Sequence, residues 1–272
     1  MTRLAGRRLM ASVLPKTAGR RGGAGRFVWP LLTLLLGFGV GLLWPILKRP
    51  PLVLGQDAVV SGVPLDSANV RLVPQAGGFI DIRPASNKAT RLLIFYPGGL
   101  VRPQAYEWIG RALAQEGIRT VIPVFPLDFA VLDKNRADRL LNFLQSQGDS
   151  FGRVYLAGHS LGGAMAASYA KTNAGKLAGL ILLGAYPAGG DDLSKLNLRV
   201  LDLAAERDGA ATLAEVRDGL KRLPPSTQLT VIPGSVHAFF GRYGPQRGDG
   251  TPTIVRARAE EQIIAALSAF VR

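Results

Sequence analysis

Arg153-Val154-Tyr155-Leu156-Ala157-Gly158-His159-Ser160-Leu161-Gly162-Gly163-Ala164-Met165-Ala166-Ala167 decides the fold. Its first five residues form a short apolar run suited to a buried parallel strand. From Gly162 the chain is small, Ala-rich and helix-favouring. Between the two lies G-x-S-x-G, which asks for a strand-to-helix turn so tight that glycines must flank the serine. Such a turn lifts Ser160 above the sheet edge and puts its hydroxyl at the helix N-terminus, where the dipole and free amides favour negative charge. An ordinary Gly-rich βα turn is the plainer alternative.

The elbow sits inside a regular alternation. Apolar strands are expected at 91–96, 119–125, 153–158, 178–184, 198–204 and 228–233, preceded by a hairpin of 69–74 and 79–84 through Gly77-Gly78. Helices are expected at 103–116, opened by Pro103 and stopped by Gly117, and at 133–147, with Asp133 as N-cap and Ala137, Leu140, Leu141 and Leu144 as buried stripe. Further helices fall near 161–171, 210–222 and 255–271. Strands alternating with helices imply an α/β domain, its mostly parallel sheet covered on both faces, over 69–272.

The N-terminal fifth reads differently. The chain of 272 residues carries a formal net charge of +14, but 1–49 hold nine Lys/Arg and no acid, while the remainder has 24 basic and 19 acidic residues. The excess is therefore largely a tail property, and no nucleic-acid motif accompanies it. Residues 1–26 form a basic leader without periodicity, expected to be disordered. Residues 27–47 contain no charge; as a helix they would span about 30 Å, a bilayer's hydrocarbon core. Trp29 and Trp44 stand near the two ends. Seven basic residues precede the segment and only Lys48 and Arg49 closely follow it, so the positive-inside rule keeps the N-terminus cytoplasmic and sends the rest across the membrane. An uncleaved signal anchor is the expectation. Cleavage and secretion is the alternative, although the apolar stretch is long for a signal peptide. Gly37-Phe38-Gly39-Val40-Gly41 carries a G-x-x-x-G spacing that would allow weak self-association of such helices. Residues 48–68, opened by Pro50-Pro51, read as linker.

A serine hydroxyl needs a base, and the base an acid that fixes its tautomer. The chain has two histidines. His159 adjoins Ser160 and is expected to turn away from it as a structural neighbour. His237 follows the last strand, where α/β sheets place active residues, and is the candidate base. The acid should leave a strand end between serine and histidine. Asp202 falls within the strand; Glu206 and Asp208 lie beyond it, and Asp208-Gly209 has turn chemistry. Asp208 is the candidate, with Glu206 as runner-up. Two backbone donors are needed for a tetrahedral oxyanion. Leu161 N–H follows from the elbow; the other comes from Tyr96-Pro97-Gly98-Gly99-Leu100, with Gly99 preferred over Gly98 and Leu100. The Gly/Pro-rich loop 242–253 could border the pocket, and Asp249 within it reads as a turn residue.

The elbow, the Tyr96–Leu100 turn, Glu206-Arg207-Asp208-Gly209 and His237, in the order Ser…Asp…His, resemble the α/β-hydrolase superfamily from about residue 70 onward. Tyr96-Pro97-Gly98-Gly99 and the stretch His237-Ala-Phe-Phe-Gly-Arg-Tyr-Gly-Pro-Gln-Arg-Gly-Asp-Gly are similar to a serine esterase/lipase-like bacterial subgroup. The resemblance implies an eight-stranded sheet, a Ser160–His237–Asp208 triad and hydrolysis of carboxylic esters or related small acyl compounds through an acyl-enzyme. It departs from the commoner pattern at Pro97-Gly98, where many members carry His-Gly. No cofactor or metal is implied, and the absence of cysteine excludes a thiolate site. An acyltransferase would use the same groups, and a non-catalytic binding module the same fold. Only 186–197 separate the strands ending near 185 and beginning near 198, too short for an apolar lid domain. The expectation is a shallow site preferring short acyl groups.

Overall fold

The computed structural model describes residues 25–52, 68–85 and 89–272, and within the first helix the side chains of 28–44. The expected leader and most of the expected linker lie outside the described residues. The chain divides into two compact units, 1–48 and 49–272.

In the first unit, helix α1 runs Gly25–Leu47. Its apolar side chains, Trp29 and Trp44 among them, are exposed. Thr33 turns its hydroxyl onto the carbonyls of Trp29 and Pro30, at 3.0 and 2.9 Å. Among the residues whose side chains are described, which in α1 are 28–44, no helix is long and apolar enough to cross a membrane.

The second unit is built on one sheet. Its strands are β1 (Ala68–Val73), β2 (Phe79–Pro84), β3 (Arg91–Tyr96), β4 (Ile118–Pro123), β5 (Arg153–His159), β6 (Gly179–Leu183), β7 (Val200–Ala205) and β8 (Gln228–Ile232). They lie in the order β1-β2-β4-β3-β5-β6-β7-β8. The first two are antiparallel to each other, β2 is antiparallel to β4, and every later pairing is parallel. Every strand read from the sequence is present within two residues of its expected ends. The connecting helices are α2 (Glu107–Ala114), α3 (Arg136–Ser146), α4 (Leu161–Asn173), α5 (Leu213–Gly219) and α6 (Arg256–Val271).

Alternation along the strands makes two cores. Leu93, Phe95, Tyr155, Ala157, Ile181, Leu183, Leu201 and Leu203 face one side, against Ile109 and Leu113 of α2 and Ile263, Leu267 and Phe270 of α6. Leu92, Ile94, Tyr96, Leu156, Leu180, Leu182 and Val200 face the other, against α3 and α4. Burial on both faces is what a parallel sheet requires of continuous apolar strands.

Some helix boundaries differ from expectation. Asp133 does not cap α3: it ends a 3₁₀ turn, Ala130–Asp133, and its carboxylate holds the guanidinium groups of Arg136 and Arg139. The ion pairs draw it away from the backbone donors, and α3 begins three residues later. The helix expected over 210–222 shortens to α5, because Thr212 and Glu215 form a reciprocal capping box at its start. Residues 49–52, read as linker, belong to the second unit. Arg49 pairs with Asp128, Pro51 O accepts the Gly244 amide at 3.1 Å, and Leu52 bridges Tyr243.

Asp202 stands in the middle of β7, in register with Leu182 and Leu229. It is 0% exposed and neither carboxyl oxygen has a partner among the described residues. Burial pushes its pKa well above the ordinary 3.8, so the folded chain keeps a proton that the unfolded chain loses. A raised folded-state value costs stability as pH climbs through that window, by about 1.4 kcal/mol for each pH unit over which only the unfolded chain is ionised. Asp202→Asn should therefore gain on the parent in thermal melts as pH rises from 5 to 8, by about 2–4 °C per kcal/mol. Parallel melting curves across that range would remove Asp202 as the cause.

Candidate active site

The serine turn is as tight as its sequence requires. β5 ends at His159, Ser160 adopts φ 53° and ψ −127°, and α4 starts at Leu161. A positive φ at a residue other than glycine is strained, and it persists because the surroundings dictate it. A Cβ on Gly158 would strike the backbone of Gly162, and one on Gly162 would strike the carbonyl oxygens of Tyr96 and Pro97. The elbow thus packs backbone to backbone against the exit of β3.

That exit supplies the second half of the site. Within Gly98-Gly99-Leu100, the Gly98 amide donates to Tyr106 Oη (3.0 Å) and the Leu100 amide to Asp128 O (2.9 Å). The Gly99 amide is left without a partner among the described residues, and Gly99 lies against the Leu161 side chain. Leu161 N–H belongs to the first turn of α4, whose amides have no intrahelical acceptor.

The candidate acid and base, Asp208 and His237, come from the turns after β7 and β8. His237 Nδ1 and Asp208 Oδ2 are 2.7 Å apart, with the two side chains 1% and 0% exposed. Asp208 Oδ1 accepts the amides of Ala210 (2.8 Å) and Ala211 (2.7 Å), which fix the carboxylate. An acceptor-only group there makes Nδ1 the donor and leaves Nε2 as the basic nitrogen. Nε2 is buried, with no partner among the described residues. Ser160 and His237 are not hydrogen-bonded to each other, as is common before substrate binds. The runner-up acid is placed elsewhere: Glu206 Oε2 accepts the Gly234 amide at 2.7 Å.

Several residues around this pair carry no signal in the sequence. His159, expected to be a bystander, packs its ring 4.4 Å from that of His237. Its Nδ1 is 2.8 Å from Tyr106 Oη. Because Tyr106 Oη already accepts the Gly98 amide, its proton points to His159. Complete burial, with the neighbouring His237, holds the His159 pKa well below 6.5, against a smaller opposing pull from the His237 backbone. Burial thus favours the neutral form of the His159 ring beside His237. Gly184, directly after β6 and with φ 50°, lies beside the Asp208–His237 hydrogen bond. Asp249, expected to serve a turn, accepts backbone amides from the turns of both acid and base. Among the described residues, no cluster of three or more His, Asp or Glu is arranged to hold a metal ion. The β6–β7 connection contains no helix, and the 242–253 loop walls, with Val236, Phe239 and Arg256, a cavity of about 660 Å³ whose lining includes none of Ser160, Asp208 and His237.

A model of the alpha/beta hydrolase family matches residues 92–261. The solved structure of a predicted CIB-like hydrolase from Thermoplasma acidophilum superposes with a TM-score of 0.54 at 15% identity, covering 75% of this chain and 98% of that one. At that identity the likeness concerns the fold. No curated protein matches the chain in sequence.

A methyl group at Gly184 would come within 3.0 Å of Asp208 Oδ2 and 3.1 Å of His237 Nδ1. Gly184→Ala should lose about 1–2 kcal/mol from the left-handed backbone alone. The hydrogen bond should lengthen as well, so activity should fall further than stability does. Melting temperature and turnover measured together check this; full activity with a normal melt would show that the turn accommodates the methyl.

Proposed function

Since the chain belongs to the α/β hydrolase family, we propose that it is a serine hydrolase acting on carboxylic esters of short acyl groups. The observation that carries this is the 2.7 Å hydrogen bond between Asp208 and His237, on strand-end turns of the sheet whose elbow presents Ser160. In this reading Ser160 Oγ attacks the acyl carbonyl while His237 Nε2 takes its proton, and Asp208 holds Nδ1–H and favours the imidazolium. The amides of Gly99 and Leu161 bind the oxyanion. Collapse returns the proton from His237 to the leaving alcohol, and water repeats the sequence on the acyl-enzyme. His159, being neutral, adds no positive charge against the imidazolium as it forms. The pairing of the Gly98 and Leu100 amides elsewhere supports Gly99 as donor.

We further propose that residues 27–47 are an uncleaved anchor in the cytoplasmic membrane, with the catalytic unit outside. The uncharged run, its flanking tryptophans and the asymmetry of basic residues support this.

Ser160→Ala should abolish labelling by a fluorophosphonate probe and turnover of short-chain esters while the fold stays intact by circular dichroism. Asp208→Asn should lower kcat by about 10⁴, as in other triads where the base is left in the wrong tautomer. Labelling that survives Ser160→Ala would eliminate the proposed nucleophile. For the anchor, protease added to intact protoplasts should digest the catalytic unit; protection until lysis would mean the segment is reversed or does not span.

A further inference from the structure

Asp249 lies in the 242–253 loop, away from the reacting atoms, yet its carboxylate is fully engaged. Oδ1 accepts the amides of His237 (3.0 Å), Gly209 (3.2 Å) and Gly250 (3.0 Å), and Oδ2 that of Ala238 (2.8 Å). His237 is the base and Gly209 directly follows the acid. One side chain from a third segment thus grips the backbone of both turns.

The backbone on either side of Asp249 is equally close. A Cβ on Gly209 would fall on the Gly248 carbonyl, and one on Gly250 on the Arg207 carbonyl. Gly248-Asp249-Gly250 is therefore wedged along the acid turn while its carboxylate reaches the base turn. The roots of the two turns have their own ties, Arg207 N–H to Ser235 O at 2.8 Å and Glu206 to the Gly234 amide. Their tips, which carry Asp208 and His237, meet through Asp249.

We propose that Asp249 is a positioning residue that sets the separation and alignment of Asp208 and His237. This rests on the triad reading of the site. The chemistry calls for a carboxylate: ionised, it accepts only, and both of its oxygens are used here, Oδ1 by three of the converging amides and Oδ2 by the fourth. An amide in its place offers one oxygen and turns an NH₂ toward backbone N–H groups. Either the Ala238 amide or the other three then lose their acceptor, and the turns separate.

The test uses the full chain in detergent, as parent, Asp249→Asn and Gly209→Ala. The last leaves every side chain of the site intact but drives the Gly248–Gly250 stretch off the acid turn. Fluorophosphonate labelling is followed at increasing probe concentration and normalised to the folded fraction. The low-field proton resonance of His237 Nδ1–H is recorded beside it. Both variants should lose on the order of 10²-fold in the limiting labelling rate, as a small misplacement of catalytic groups costs, with probe affinity little changed. The Nδ1–H resonance should shift or broaden. A purely structural role would lower the melting temperature but leave rate and resonance in place for the folded fraction, and that result overturns the proposal. A parent that does not label refutes the hydrolase reading, while the resonance still reports whether Asp249 controls the Asp208–His237 contact. If Asp249→Asn does not fold, Gly209→Ala decides by the same two readouts.

Discussion

The end of the sheet that carries the candidate site depends on how closely the serine turn approaches the end of β3. Gly162 lies against the carbonyl oxygens of Tyr96 and Pro97 with no room for a side chain, and Gly158 lies against Gly162 itself. That contact forces Ser160 to a positive φ and brings Gly99 beside Leu161. Ser160 and the amides of Gly99 and Leu161 are thus positioned by one backbone packing event. A parallel sheet supplies it readily, since β3 and β5 are adjacent and in register from Arg91↔Arg153 to Tyr96↔Gly158.

Around this frame the site is a set of buried polar groups, each with its own solution to desolvation. Tyr106 stands in the core with its hydroxyl between the Gly98 amide and His159 Nδ1, accepting from one and donating to the other. Asp208 is satisfied by His237 and two amides. Asp202, six residues earlier, has no such partners among the described residues, and burial favours its protonated form instead. A buried carboxyl is tolerated when it is paired or when it is neutral, and β7 with its following turn contains one of each kind.

The sequence carried the fold through local signals. Apolar runs of five to seven residues, punctuated by Gly and Pro, place the strands, and G-x-S-x-G places the crossover from β5 to α4. The triad candidates follow from chain order and from having only two histidines. What escaped depends on tertiary convergence. No pattern around Tyr106 announces that its hydroxyl reaches residue 98 in one direction and residue 159 in the other. Asp249, between glycines, looks like any loop aspartate until two distant turns deliver their amides to it. Asp133 misled for a related reason: its cap position was sound locally, but Arg136 and Arg139 offered stronger partners than the backbone.

Four amides that share one carboxylate also share one fate. Those of Gly209, His237, Ala238 and Gly250 belong to three segments far apart in sequence, yet each depends on Asp249 for its acceptor. Withdrawal of that side chain exposes all four at once, so their hydrogen exchange has a single opening free energy rather than three. Acid turn, base turn and glycine-rich loop therefore open and close together, as one cooperative patch on a sheet whose strands stay shut.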